Sequence, residues 1–379
     1  MELSSVRERI DAIDNELTRL FTERMRTVAE VARVKKATGK AVRDPARERA
    51  VVNRVTAQAG DAFAPYVKNL YGLIFELSRN YESMLMGERS PLGDRIEQAC
   101  REGEGKRLPG RALVACQGTE GAYAQQACEK LFEYPDILYF DSFDGVFNAV
   151  EKGMCEFGVL PIENSTAGSV TQVYDLMEKH SFHIVGARRL RIDHHLLRKP
   201  GATGPIRRIV SHEQALRQCS EYFGAHPEIQ AEPMSNTAVA AETVANTEEE
   251  GVAAIASRAC AELYGLEIVA EDVGNVQNNS TRFLCISRKP EIYPGARKMS
   301  VMFRLPHEPG ALSEILSRIS AAGVNLCKLE SRPIPGRDFE FRFFFDLEAD
   351  PRDPEVVQLL CELERKSEHF VFLGAYEER

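Results

Sequence analysis

Gln277-Asn278-Asn279-Ser280-Thr281-Arg282-Phe283 runs without a break into the apolar Leu284-Cys285-Ile286. Asn-Asn-Ser is turn chemistry, and the run behind it reads as a buried strand. Thr281 and Arg282 therefore stand where a loop enters a strand, a usual place to present a side chain to a cleft. Side chains alternate along a strand, so Thr281 and Phe283 share one face and Arg282 takes the other. Taken alone, this is only a strand entry with a β-favouring threonine. Its flanks give it weight: a helical region with inward-facing cations upstream, and a βαββαβ unit downstream.

A chain of 379 residues is too long for one ordinary core and implies roughly two to four domains. With 44% hydrophobic and 28% charged residues, the composition is that of a globular protein. No apolar run approaches the ~18–20 residues of a membrane span, so no membrane partner is expected. The opening Met1-Glu2-Leu3-Ser4-Ser5-Val6 enters a helical pattern directly and does not read as a signal peptide. Nine cysteines are scattered singly, which argues for reduced thiols in a cytoplasm and against disulfides or a zinc site. No metal or other cofactor is called for. The net charge of −9 makes nucleic acid an unsuitable partner, so anionic substrates would need local Arg and Lys clusters.

Between Val6 and Thr38 the apolar positions Val6, Ile10, Ile13, Leu17, Leu20, Val28, Val31 and Val34 keep a 4-3 spacing, with no Gly or Pro before Gly39. This predicts one helix of roughly 33 residues, about 50 Å long. So long a helix implies interlocking with a second copy in a homodimer or higher oligomer. Arg24 and Lys35 break the apolar pattern, and at ~100° per residue they project within about 20° of each other. Inward cations are costly unless an anion pairs them. Asp44-Pro45 then reads as the cap and first residue of a second helix reaching about Ala59. A third, from Ala64 to about Met86, carries Ser78 and Glu82 on one face.

The set Arg7, Arg24, Lys35, Asp44, Arg47-Glu48, Ser78 and Glu82 over three helices resembles the all-helical chorismate mutase domain. The resemblance implies a pericyclic rearrangement of chorismate to prephenate. Arg24 and Arg47, with Arg7 from a partner chain, would hold the carboxylates. Lys35 would donate to the ether oxygen, and Asp44, Glu48 and Ser78 would orient substrate. Glu82 departs from the Gln of many relatives. A carboxyl donates a hydrogen bond only when protonated, so mutase activity is expected to fall as rising pH ionises it.

Residues 91–110, rich in Gly, Pro and charge, read as a linker or short helix. From Ala112 strands alternate with helices, which implies a two-lobed α/β region with ligands at the carboxyl ends of parallel strands. Gly118-x-x-Gly121-Ala122-Tyr123, Pro161-Ile162-Glu163-Asn164-Ser165, Ser211-His212-Glu213-Gln214, Ser235-Asn236-Thr237-Ala238 and Thr281-Arg282-Phe283 occur in the order seen in prephenate dehydratases, which residues 111–290 resemble. This implies loss of carbon dioxide and water from prephenate. Thr281 would be the hydroxyl donor, Glu163 a proton source if neutral, and Asn164, Ser165, Gln214 and Ser235 substrate ligands. Ala122 and Gln125 differ from the Ser and His common in relatives. His194-His195, in an apparent strand Leu190–Leu197, point to opposite faces and do not suggest a metal site.

Residues 298–376 read as βαββαβ, the ferredoxin-like layout. Pro309-Gly310-Ala311-Leu312, Asn325 and Glu330-Ser331-Arg332-Pro333 make the segment similar to the ACT regulatory domain, which implies phenylalanine as effector. Gly310, Ala311, Leu312, Asn325, Glu330 and Ser331 would form its site. Together the three resemblances are in the order of the bifunctional chorismate mutase–prephenate dehydratase family. Two other readings stand beside this one: a dehydratase with an inactive helical dimeriser (residues 1–90), and a non-catalytic amino-acid-sensing protein. Phe283 or Arg282 is expected to touch the regulatory segment.

Overall fold

The computed structural model describes residues 3–86, 90–337 and 339–379, and the chain divides into two compact units, Met1–Ser90 and Pro91–Arg379. The first is all helical: α1 (Leu3–Thr38), α2 (Pro45–Ala59) and α3 (Ala64–Met86). Asp44 caps α2, accepting from Arg47 N at 3.0 Å, and Pro45 fills the first helical turn. At 36 residues α1 is longer than its own unit can cover. Ile13 and Val34 remain 60% and 62% exposed, while Val28 and Ala32 are its buried residues.

The second unit opens with α4 (Pro91–Gly103), whose Leu92, Ile96, Ala99 and Gly103 are buried. Of the two forms expected for residues 91–110, a linker or a short helix, most of the segment takes the helical one, and its buried positions fall on one helical face. The first lobe follows as β1 (Arg111–Gln117), α5 (Tyr123–Leu131), β2 (Tyr134–Phe140), α6 (Phe143–Glu151), β3 (Phe157–Asn164), β4 (Gly168–Ser169), α7 (Thr171–Met177) and β5 (His183–Arg191). The chain then crosses into a second lobe: β6 (His195–Arg198), β7 (Arg208–His212), α8 (Glu213–Gln218), α9 (Ser220–Ala225), β8 (Gln230–Met234), α10 (Thr237–Asn246), β9 (Val252–Ala256), α11 (Arg258–Tyr264) and β10 (Glu267–Ala270). It returns to the first lobe as β11 (Ser280–Ser287).

The return strand changes the expected topology. The first sheet runs β2-β1-β3-β11-β5, with the two-residue β4 paired antiparallel to β3 off this path. Within the path β11 lies antiparallel to both its neighbours, while the other four strands run parallel. Its first residues therefore sit at the carboxyl end of β3, where Thr281 pairs with Asn164. The continuous strand expected over Leu190–Leu197 is absent: β5 ends at Arg191, and residues 192–194 form the crossing between lobes.

The final module is β12 (Lys298–Arg304), α12 (Ala311–Ala321), β13 (Asn325–Pro333), β14 (Phe341–Glu348), α13 (Pro354–Lys366) and β15 (Glu368–Tyr376), with sheet order β13-β14-β12-β15. Met302, Phe344, Leu373 and Tyr376 join the buried cluster of Ile184 and Leu284, so this module and the first lobe share one apolar core. Leu92 and Ile96 of α4 pack into the module's own core beside Leu360 and Leu363.

Candidate active sites

In the helical unit the inward cations meet the third helix. Arg24 donates to Ser78 Oγ and stands 5.8 Å from the Phe75 ring centroid. Lys35 Nζ donates to Glu82 Oε2 at 2.7 Å and to Val42 O at 2.6 Å. Glu82 and Ser78 are buried, one turn apart on α3. Burial pulls the Arg24 guanidinium below its ordinary value, opposed by Tyr71 and Glu82. Glu48 pairs with Arg79 at 2.6 Å. Asp44 serves as the α2 cap, and Arg47 and Arg7 are exposed. Arg7 lies seventeen positions before Arg24 on one straight helix, about 25 Å away at 1.5 Å per residue, so the two cannot grip one small substrate from the same chain.

The second cluster surrounds Thr281. Asn164 Nδ2 donates to Thr281 Oγ1 at 2.9 Å and to Asn279 Oδ1 at 2.8 Å. Because Thr281 Oγ1 accepts there, its own hydrogen stays available to a ligand. Asn164 Oδ1 accepts the backbone amides of Thr166 and Ala167, a turn that fixes its plane. Gln218, at the end of α8 in the second lobe, reaches across: its Nε2 donates to Thr166 Oγ1, and its Oε1 accepts from Asn279 Nδ2 at 3.1 Å. His194 Nε2 lies 2.8 Å from the same Oε1, so this nitrogen carries the proton, and the buried Nδ1 has no partner among the described residues. Burial lowers the His194 pKa, against the Gln218 contact.

Asn279, Gln218 and His194 are members of this site that motif reading missed. Gln218 is one helical turn beyond Gln214, a spacing that places both on one face of α8. Gln214 is half-buried, and Ser235 is exposed just before the α10 cap Asn236. Ser165 is exposed and tied to the returning strand, accepting from Ser280 N at 3.0 Å. His212 caps α8 through its Nδ1, and His195 Nδ1 accepts from Asp272 N. Across the mouth, a Cβ on Gly118 would lie 4.0 Å from Asn236, so the glycine loop and the Ser235-Asn236 turn face each other.

Glu163 does not join Thr281. It is the cross-strand partner of Arg282, on the opposite face, and its Oε1 stands 3.1 Å from Lys328 Nζ of β13. Strand alternation, which turns Asn164 into the cleft, turns its neighbour away. Ser169 Oγ extends this contact, donating to Glu330 Oε2 at 2.6 Å and accepting from Lys328 at 2.8 Å. Arg332 grips Asp175 of α7 with two nitrogens at 2.9 Å, and Arg304 and Arg342 both reach Glu178. Arg282 likewise points into the βαββαβ module, whereas Phe283 packs in the first lobe with Val114 and Cys285. In the module, Gly310 adopts φ 91° ahead of α12, so Ala311 and Leu312 form the first helical turn. Asn325 donates to Glu348 at 3.0 Å, and Ser331 pairs with Phe343 across β13 and β14.

Three family models match the chain: chorismate mutase type II over residues 6–83, prephenate dehydratase over 114–291 and ACT domain over 299–365. A bifunctional chorismate mutase/prephenate dehydratase of Enterobacter agglomerans is 32% identical over 387 residues, spanning 99% of this chain and 95% of that protein. The solved structure of GqqA, described as a novel type of quorum quenching acylase, is 34% identical with a TM-score of 0.64 over 70% of this chain and 98% of its own. A prephenate dehydratase from Arthrobacter aurescens, solved in complex with L-Phe, is 29% identical with a TM-score of 0.63, over 70% of this chain and 89% of its own.

Proposed function

The chain belongs to the bifunctional chorismate mutase/prephenate dehydratase family, and from that premise we propose which residues carry each reaction and how they are governed. It is an enzyme of aromatic amino acid biosynthesis that converts chorismate to prephenate and prephenate to phenylpyruvate. Residues 1–90 are assigned to the first step, 111–290 to the second and 298–376 to regulation.

The mutase step needs a clamp for two carboxylates and a donor at the breaking ether oxygen. Lys35 supplies a donor at that oxygen, and Glu82 adds a second only in its protonated form. Arg24 and Arg47 hold carboxylates together with Arg7 of a second copy, and Asp44, Glu48 and Ser78 orient the ring. The exposed apolar spine of α1 supports a homodimer, since burying one such side chain contributes about 1.5–3 kcal/mol.

In the dehydration, the bond from the ring to the departing carboxylate breaks, its electron pair enters the ring, and the C–O bond at the opposite carbon leaves. One proton must reach that hydroxyl for water to depart. The observation that carries this reading is the Asn164–Thr281 contact, in which Thr281 Oγ1 accepts and its O–H is left free to donate. Thr281 delivers a proton relayed from solvent, because a threonine hydroxyl is too weak an acid to act unaided. Asn164, Ser165, Gln214 and Ser235 position the substrate. An acylase reading, after GqqA, would need a base to activate the nucleophile, and the partner of Thr281 Oγ1 among the described residues is instead an amide donor.

Phenylalanine is proposed as effector of the βαββαβ module, at Gly310, Ala311, Leu312, Asn325, Glu330 and Ser331. The complex of the Arthrobacter relative with L-Phe supports this. Among the described residues no helix is long and apolar enough to cross a membrane, and none of the nine cysteines is in a disulfide, which supports a cytoplasmic site of action. A coupled assay from chorismate, followed to phenylpyruvate with and without phenylalanine, tests the whole reading. Absence of phenylpyruvate would refute it.

A further inference from the structure

Residues 377–379 leave one sheet and enter another. β15 pairs with β12 as far as Tyr376, opposite Lys298. Beyond it the backbone bonds go to the dehydratase sheet: Ala187 N donates to Glu377 O at 3.0 Å, Arg189 N to Arg379 O at 2.8 Å, and Arg379 N to Ala187 O at 3.1 Å. On its other edge β5 pairs with β11, with Leu190 opposite Thr281 and Arg189 opposite Arg282. One strand therefore lies between the catalytic strand and a segment continuous with the regulatory sheet. The approach begins at Gly374, where a Cβ would lie 2.2 Å from Ile184 O, so no other residue fits without moving β5.

The side chains repeat the link. Arg282 is 6% exposed; it donates to Asp346 Oδ2 at 2.5 Å and to Tyr376 Oη at 2.6 Å. Its Nε stands 2.8 Å from Glu378 Oε2, an ion pair off the donor direction. Glu378 also receives Lys298 Nζ and Arg189 Nε, each at 2.6 Å. Ser300 bonds both Asp346 and Tyr376, closing the network. Burial works against the Arg282 charge, but Tyr376, Asp346 and Glu378 outweigh it and keep the guanidinium cationic. A buried charge so held moves only with its partners, since removing one leaves it desolvated and incompletely paired.

We propose that Glu378, within Glu377–Arg379, is a positioning residue for dehydration: it fixes Arg282, and with it the entry of β11 that carries Thr281, so that the state of the regulatory sheet reaches the catalytic hydroxyl along one strand. This rests on the dehydratase assignment above.

The test uses the full chain. Glu378→Gln, Glu378→Asp and removal of residues 377–379 are compared with the wild type for dehydration of prephenate and rearrangement of chorismate. Phenylalanine binding is measured by equilibrium dialysis, and unfolding by heat. Glu378→Gln and the shortened chain should lose about tenfold in dehydration kcat with KM within about twofold. Glu378→Asp should recover most of that loss, and mutase kcat should be unchanged. Phenylalanine should still bind while its effect on dehydration shrinks about fivefold. Dehydration kcat within about twofold of wild type in both Glu378→Gln and the shortened chain overturns the proposal. So does a loss in which kcat, KM, mutase rate and unfolding midpoint all move together. If the wild type ignores phenylalanine, the kcat comparison alone decides. A wild type without prephenate turnover refutes the dehydratase assignment itself, a separate failure visible before any variant is made.

Discussion

Asn164 and Thr281 are cross-strand partners on β3 and β11, and the Asn164 amide donates to Thr281 Oγ1 at 2.9 Å. The contact exists because β11 is inserted antiparallel, which brings the start of one strand to the end of the other. With Oγ1 accepting there, the threonine keeps its own hydrogen free to donate.

Removing the partner should therefore act on rate. Asn164→Ala should lower dehydration kcat by about 10²-fold, the scale of losing one preorganised hydrogen-bonding group. Gln218→Ala, which loosens Thr166 and Asn279 without touching Thr281, should cost about tenfold. Steady-state kinetics on prephenate check both; unchanged kcat in Asn164→Ala would show that the contact does not orient the hydroxyl.

Glu163 should behave differently from its neighbour. It faces Lys328, so Glu163→Gln should keep dehydration kcat within about threefold of wild type with an unshifted pH profile. The same change, like Lys328→Met, should alter the response to phenylalanine, because Lys328 also binds Ser169 beside Glu330. A collapse of turnover in Glu163→Gln would return the residue to the role of proton donor.

Much of this was legible in the sequence. Asp44-Pro45 announced a helix start, the Arg24 and Lys35 faces announced inward cations, and strand alternation put Arg282 opposite Thr281. The remainder depends on contacts distant in sequence. Nothing local in Ser280–Ser287 reveals that it pairs antiparallel between two parallel strands. Gln218 and His194 reach the site only once the two lobes close on each other. Glu377-Glu378-Arg379 is wholly charged and carries no strand signature; backbone bonds to β5 and cations around Glu378 hold it in place.

His194 gives the stability of the second unit a pH dependence. Its folded pKa is depressed by burial, with a donor bond to Gln218 opposing. As pH falls through the unfolded value of about 6.5, the unfolded chain binds the proton first, so stability is present above that pH and declines below it. Thermal unfolding of the full chain at pH 7.5 and 5.5 should show the lower midpoint at pH 5.5. His194→Gln, which keeps a donor for Gln218, should narrow the difference; an equal difference would assign it to other groups.

In the helical unit, Glu82 Oε2 accepts from Lys35 Nζ at 2.7 Å. Glu82→Gln should replace an acceptor with an amide that can also donate, raising mutase kcat/KM about tenfold relative to wild type. A Glu82→Gln variant with mutase kcat/KM at or below the wild-type value would contradict this.

The most direct measurement of the central claim is dehydration by Thr281→Ala, with mutase activity of the same preparation as internal control. The account requires prephenate turnover to fall by about 10³-fold or more while chorismate turnover stays at the wild-type rate. Dehydration at the wild-type rate would contradict it, since the leaving hydroxyl would then take its proton from another group.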